Sequence, residues 1–302
     1  MICVVVSSCV SSSGDENPSL VSVEDKAYEE PKLAGKITAR EVGESSGLAA
    51  SQCQQDVLWT HNDSGDGAFI YAIDTSAKLL GVWRVTGAAN TDWEGIAVRR
   101  ESDGVCHIYI GEIGNNRLAR ENGAVYRITE PDTSTGQGST KRDPRQTDKA
   151  EKFAFTYPDS RQNAEALMVH PQTGEIYVIS KVMLGAAGVY KLNPDFSNTH
   201  TQKAERVGEL SLPAVPNGLV TSGDISPDGK RVIVSDYFAG YELTLPDGAN
   251  GFDDIWSVLP KRVDIGKREI GEGVAYSADG SAIFSTSENA NSPLYIMRRN
   301  SQ

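Results

Sequence analysis

Three glutamates stand at matching points in this 302-residue chain, and no other side chains offer as much shared chemistry. Glu94 lies in Asp92-Trp93-Glu94-Gly95-Ile96-Ala97-Val98 and Glu165 in Ala164-Glu165-Ala166-Leu167-Met168-Val169. Glu272 lies in Gly271-Glu272-Gly273-Val274-Ala275-Tyr276, so each acid precedes a short apolar run. Brought to one point, three carboxylates repel one another and their pKa values rise. A hard cation taking about six to eight oxygen ligands relieves that repulsion, and the Asp, Asn and Glu inventory suits Ca²⁺. The competing reading is that each acid accepts N–H bonds from a neighbouring segment and staples the fold.

The segments that must position these acids recur. The apolar markers of the leading runs are Leu48, Ile96, Leu167, Ile225 and Val274, at intervals of 48, 71, 58 and 49 residues. Turns of the kind hairpins favour follow, at Asp103-Gly104, Thr173-Gly174, Asp228-Gly229 and Asp279-Gly280. Stronger β runs come next, among them His107 to Gly111 and Arg231 to Ser235. Five units of this kind predict an all-β fold, a five-bladed β-propeller of four-stranded antiparallel blades over residues 33–302. The fifth unit lacks a fourth strand, and the N-terminal run Leu33 to Ala39 is expected to supply it and close the ring. The surplus in the long interval, Pro131 to Asp148, has no apolar alternation and predicts a surface loop, not a sixth blade.

In such a ring the inner strands start, and the second strands end, on the same face. The expected metal ligands there are Glu94, Glu165, Glu272 and Asp224. His61 and Asp63 are the candidate proton carriers, with loop ordering as the alternative for His61. Candidate ligand contacts are Trp93, Asp92, Glu112, Asn115, Lys181, Asp236 and Glu288. For Lys181 the competing role is pairing with a neighbouring acid, and for Trp93 it is core packing. There is no Gly-x-Ser-x-Gly elbow, phosphate loop or His-Glu-x-x-His helix, so hydrolysis would have to be metal-assisted, with bound water as nucleophile.

Hairpins such as Ser226-Pro227-Asp228-Gly229-Lys230-Arg231-Val232-Ile233-Val234 resemble those of YVTN and lactonase-type propellers. The leading motif resembles those of calcium-bearing propellers: calcium-activated nucleotidases (apyrases), phytase-like esterase propellers and SdiA-regulated proteins. The resemblance spans residues 33–299 as architecture, and no one family's catalytic set maps completely onto the chain. It implies a calcium-bearing face that binds a small ligand or a protein. Its alternative is a calcium-dependent hydrolase of phosphate esters, lactones or other esters, with His61 or Asp63 handling protons.

A net charge of -12 argues against nucleic acid and anionic lipid as partners. Residues 1–9 form a short apolar segment, and Val6-Ser7-Ser8-Cys9 resembles a bacterial lipobox in which Cys9 would be lipidated. On that reading the protein is exported to the periplasm or outer envelope and meets the membrane only through its anchor. Residues 10–32 read as a solvated tether. Cys53 and Cys106 remain. In adjacent blades, on the face opposite the acids, they are candidates for a disulfide.

Overall fold

Five antiparallel sheets stand around one axis in a computed structural model that describes residues 27–300. Cys9, with the segment around it, lies outside the described residues. The fold is the expected five-bladed β-propeller. Blade one holds Ala49–Ala50, Val57–Thr60, Phe69–Asp74 and Leu79–Arg84. Blade two holds Trp93–Arg100, Cys106–Glu112, Asn122–Thr129 and Glu151–Thr156. Blade three follows with Ala164–Val169, Ile176–Ser180, Ala187–Leu192 and Glu205–Leu210. Ser222–Ile225, Arg231–Ser235, Gly240–Thr244 and Lys261–Val263 make blade four. Blade five takes Gly273–Tyr276, Ala282–Thr286 and Ser292–Arg298 from the end of the chain, and Lys32–Ile37 from its beginning. That last strand pairs Lys32 with Ile296 and Ile37 with Ser292, and so closes the ring.

Strands with alternating apolar residues on both faces bury each blade against two neighbours. The core accordingly falls into five clusters, one for each blade interface. Trp59, Trp93 and Ile108 fill the seam of blades one and two, and Met168, Tyr177 and Val234 that of blades three and four. The seam between the last blade and the first is made like the others, from residues such as Leu48, Tyr71 and Phe284.

Two inner strands are bulged where their glutamates sit. Pairing slips between Trp93 and Ile96 in blade two, and between Ala164 and Ala166 in blade three. A bulge re-aims the side chain it carries. At Gly95 the backbone has φ +73°, and a Cβ there would lie 2.7 Å from the amide nitrogen of Leu167. Only glycine tolerates both the angle and the approach.

The surplus segment in blade two lies against blade one. Its Arg145–Gln146 pairs in parallel with Trp83 and Arg84 and covers the outer edge of that blade. Gln202–Lys203 does the same for blade two. The end of the expected tether is pinned to the propeller by one buried residue. Tyr28 is buried, bridges to Arg299, and donates from its hydroxyl to Glu242 at 2.5 Å, because that buried carboxylate lies in the seam of blades four and five. Cys53 and Cys106 are joined in a disulfide, with Cα atoms 6.1 Å apart, between blades one and two on the face away from the glutamates. No helix of the described residues is long and apolar enough to cross a membrane.

Candidate functional site

The first residue at the inner-strand register is Ser46, Glu94, Glu165, Ser222 or Glu272, each followed by glycine or alanine. All five are buried. Glu94, Glu165 and Glu272 each place a carboxylate oxygen within 4.8 Å of the other two. The Ser46 hydroxyl reaches Oε2 of Glu94, and Oε2 of Glu272 at 3.3 Å. A second acid cluster, Asp63, Asp92 and Glu94, shares Glu94 with the first.

One ammonium answers these charges. Lys181 Nζ stands 3.1 Å from Glu165 Oε2 and 3.9 Å from Glu272 Oε1, and lies 4.9 Å from the centre of the Tyr237 ring. Asn163 donates to Glu165 Oε1 at 3.1 Å. On the other side Arg120 pairs with Glu112 and approaches Asp92 at 4.0 Å.

The acids are therefore left undercompensated. Burial, then Glu165 and Glu272, push the Glu94 carboxyl well above the usual range. Glu165 is pushed up to about 7 by burial, although Lys181 and Asn163 oppose the rise. Glu272 reaches about 9 through burial and the charges of Glu165 and Glu288. Burial and the neighbouring Asp63 bring Asp92 to about 6. Burial lowers Lys181, but Glu165, Tyr237 and Glu272 more than reverse this, so its pKa lies above the ordinary value.

The remaining expected site residues have other tasks. Asp224 is not brought to the glutamates. It lies two residues beyond Ser222 on the inner strand, deeper in the channel, where it accepts from the N–H groups of Ile225 and Tyr276 at 2.8 and 2.9 Å. Burial still raises it to about 7. It also lines a cavity of about 210 Å³ with Arg99 and Arg100 at the opposite mouth of the channel. Trp93 offers no surface to a ligand: it is wholly buried, donates to the Ala89 carbonyl at 3.0 Å, and packs edge-on against His61. His61 is equally sealed. Burial lowers its pKa, and its Nδ1 lies 3.0 Å from the Asn62 carbonyl oxygen, a contact that orders the loop.

Glu112 accepts from the N–H groups of Thr91 and Asp92 at 2.9 and 3.1 Å, which fixes the entry to the blade-two inner strand. Asn115 donates to the Arg120 carbonyl of its own loop and to the Gln162 carbonyl of the loop that leads into blade three. Asp236 ties a turn, accepting from Phe238, Ala239 and the Tyr241 hydroxyl, each at 2.7 Å. Stapling and clustering thus both occur, at different residues. Ser46 stands at the register as the sequence suggests, and Ser222 is the member that sequence reading places one residue late, at Gly223. The signal for Ser222 is the small residue after it, Gly223, as Gly47 follows Ser46 and glycine or alanine follows each glutamate.

No family model matches the chain, and no curated protein matches it. Among solved structures, hydrazine synthase of Kuenenia stuttgartiensis is similar, with a TM-score of 0.44 at 12% identity, over 86% of this chain and 97% of that one.

Proposed function

We propose that this propeller is a binding protein whose axial carboxylates hold a hard divalent cation, Ca²⁺, and whose acidic face receives a small ligand or a protein partner. One observation carries the reading: three buried carboxylates from three blades converge within 4.8 Å, with one lysine to balance them. Ligand oxygens on opposite sides of a Ca²⁺ ion are about 4.6–5.2 Å apart, so Glu94, Glu165 and Glu272 suit a single coordination shell. The Ser46 hydroxyl adds a neutral oxygen at the same level. The Cys53–Cys106 bond supports export, since disulfides persist in oxidising compartments. The net charge of -12 speaks for cationic or neutral partners over nucleic acid.

The test is calorimetric titration of chelator-treated protein with Ca²⁺ at pH 8. Saturable binding is expected at one axial site, weakened at least roughly 10-fold by Glu94→Gln or Glu165→Gln, since each removes a charged ligand. Heats no larger than dilution for the wild-type protein would defeat the reading.

A further inference from the structure

Eight large apolar side chains are exposed among the described residues: Leu33, Val105, Leu118, Met183, Leu184, Val215, Phe238 and Leu259. Strand order divides them unevenly. Leu118, Met183, Leu184, Val215 and Phe238 all lie in loops that follow a second strand or precede an inner strand, and these loops lie on the acidic face. Four of the five belong to blades three and four.

These four sit close to the acids. The Val182 N–H donates to the Gly218 carbonyl at 2.9 Å, which ties the Met183–Leu184 loop to the one carrying Val215. A Cβ on Gly218 would lie 2.3 Å from Val182 Cγ2, so the two loops interlock. Phe238 follows Tyr237, whose ring meets Lys181. Lys181 in turn pairs with Glu165 and Glu272. Apolar tips, aromatic ring, ammonium and carboxylates therefore form one continuous strip from the rim to the axis.

The tips protrude. Leu184 is 92% exposed and Val215 fully exposed. Convex apolar tips grip a surface larger than themselves, and an exposed apolar patch rimmed by polar groups marks an interaction site. We infer that this strip docks a protein partner through a segment in which basic and aliphatic side chains alternate. The aliphatic members cover Leu184, Val215 and Phe238, and the basic members face the half-buried Asp63, Asp92 and Glu288 and the exposed Glu44. Charge decides the occupant. At the surface of this face Glu44 is exposed and Asp63, Asp92 and Glu288 are half-buried, which repels an acidic segment or an anionic lipid surface. The inference rests on the acidic face being the binding face and adds the chemistry of its partner.

The experiment uses fluorescence anisotropy of three short labelled peptides, alternating Leu with Lys, Leu with Glu, and Ser with Lys, with sedimentation of phosphatidylcholine vesicles alongside. The wild-type protein should bind the Leu–Lys peptide at least roughly 10-fold more tightly than either control. Leu184→Ser with Phe238→Ser should remove that preference, while Leu33→Ser with Leu259→Ser, exposed elsewhere, should keep it. Equal binding of the Leu–Lys and Leu–Glu peptides, no binding of any peptide, or co-sedimentation with vesicles lost in the Leu184/Phe238 variant would each overturn the inference. Calcium titration of the same variants separates the two readings. Intact Ca²⁺ binding without peptide preference sinks the docking strip alone, whereas absent Ca²⁺ binding in the wild-type protein sinks the cation site.

Discussion

Replacing Lys181 by Met keeps most of the side-chain volume and removes the ammonium 3.1 Å from Glu165 and 3.9 Å from Glu272. The consequence is a change of slope with pH. Glu165 has its pKa raised from 4.5 to about 7 in the folded protein. Such a group contributes stability that is fully present below the unfolded pKa and is lost as pH rises through the folded one. In the wild-type protein the loss levels off near pH 7, where Lys181 accepts the newly formed carboxylate. Without the ammonium, Glu165 keeps its proton to higher pH and the loss continues at about 1.4 kcal/mol per pH unit. Glu272, at about 9, stays protonated over this range in both proteins. The curves should therefore run parallel from pH 5 to 7 and diverge by roughly a further 1.4 kcal/mol at pH 8, or about 3–5 °C in Tm. A constant offset is expected as well, because the variant no longer buries an ammonium. The assay is thermal unfolding from pH 5 to 9 in the presence of chelator. Parallel curves across the whole range would refute the coupling. Millimolar Ca²⁺ should close the gap at pH 8, since a divalent cation takes the place of the missing charge.

Calcium affinity should rise between pH 6 and 9, by up to roughly 10-fold per pH unit for each proton displaced, because Glu165 (about 7) and Glu272 (about 9) must ionise to serve a cation; titrations in buffers of different ionisation heat count the protons. Reduction of Cys53–Cys106, or Cys53→Ser, should cost about 2–4 kcal/mol, because the bond closes a loop with a sequence separation of 53 residues; a melt with and without reductant measures this. Gly95→Ala should cost about 2–3 kcal/mol, since it combines φ +73° with a Cβ 2.7 Å from Leu167 N, and denaturant unfolding would show an unchanged protein if the bulge could relax.

The ring and its closure were legible in the sequence because period-two alternation and Asp-Gly turns are local signals. The glutamate trio was legible for the same reason: three acids at one register must meet if the repeats do. What escaped depends on offsets of one or two residues. Asp224 sits two positions past the register that Ser222 occupies, and along a strand that step moves a side chain down the channel and not toward its neighbours. Trp93 lies at the edge of a bulge, which turns its indole into the seam while Glu94 takes the axis. No periodicity announces a bulge. The short parallel strands Arg145–Gln146 and Gln202–Lys203 were equally silent, because two residues on a sheet edge carry no alternation to read.

The closing strand also dictates when the molecule can become whole. Lys32–Ile37 is made early, yet its partner Ser292–Arg298 comes roughly 260 residues later. Pairings so distant in sequence make folding slow, because loop-closure entropy is spent before the contact is gained. During that wait the strand is an open edge, and its exposed Lys32 and Lys36 guard it against pairing with another chain. The axial acids share this timing, since Glu272 belongs to the last blade. Until the first strand meets the last, a nascent chain has only Glu94 and Glu165 in place, so cation capture should report completion of the ring.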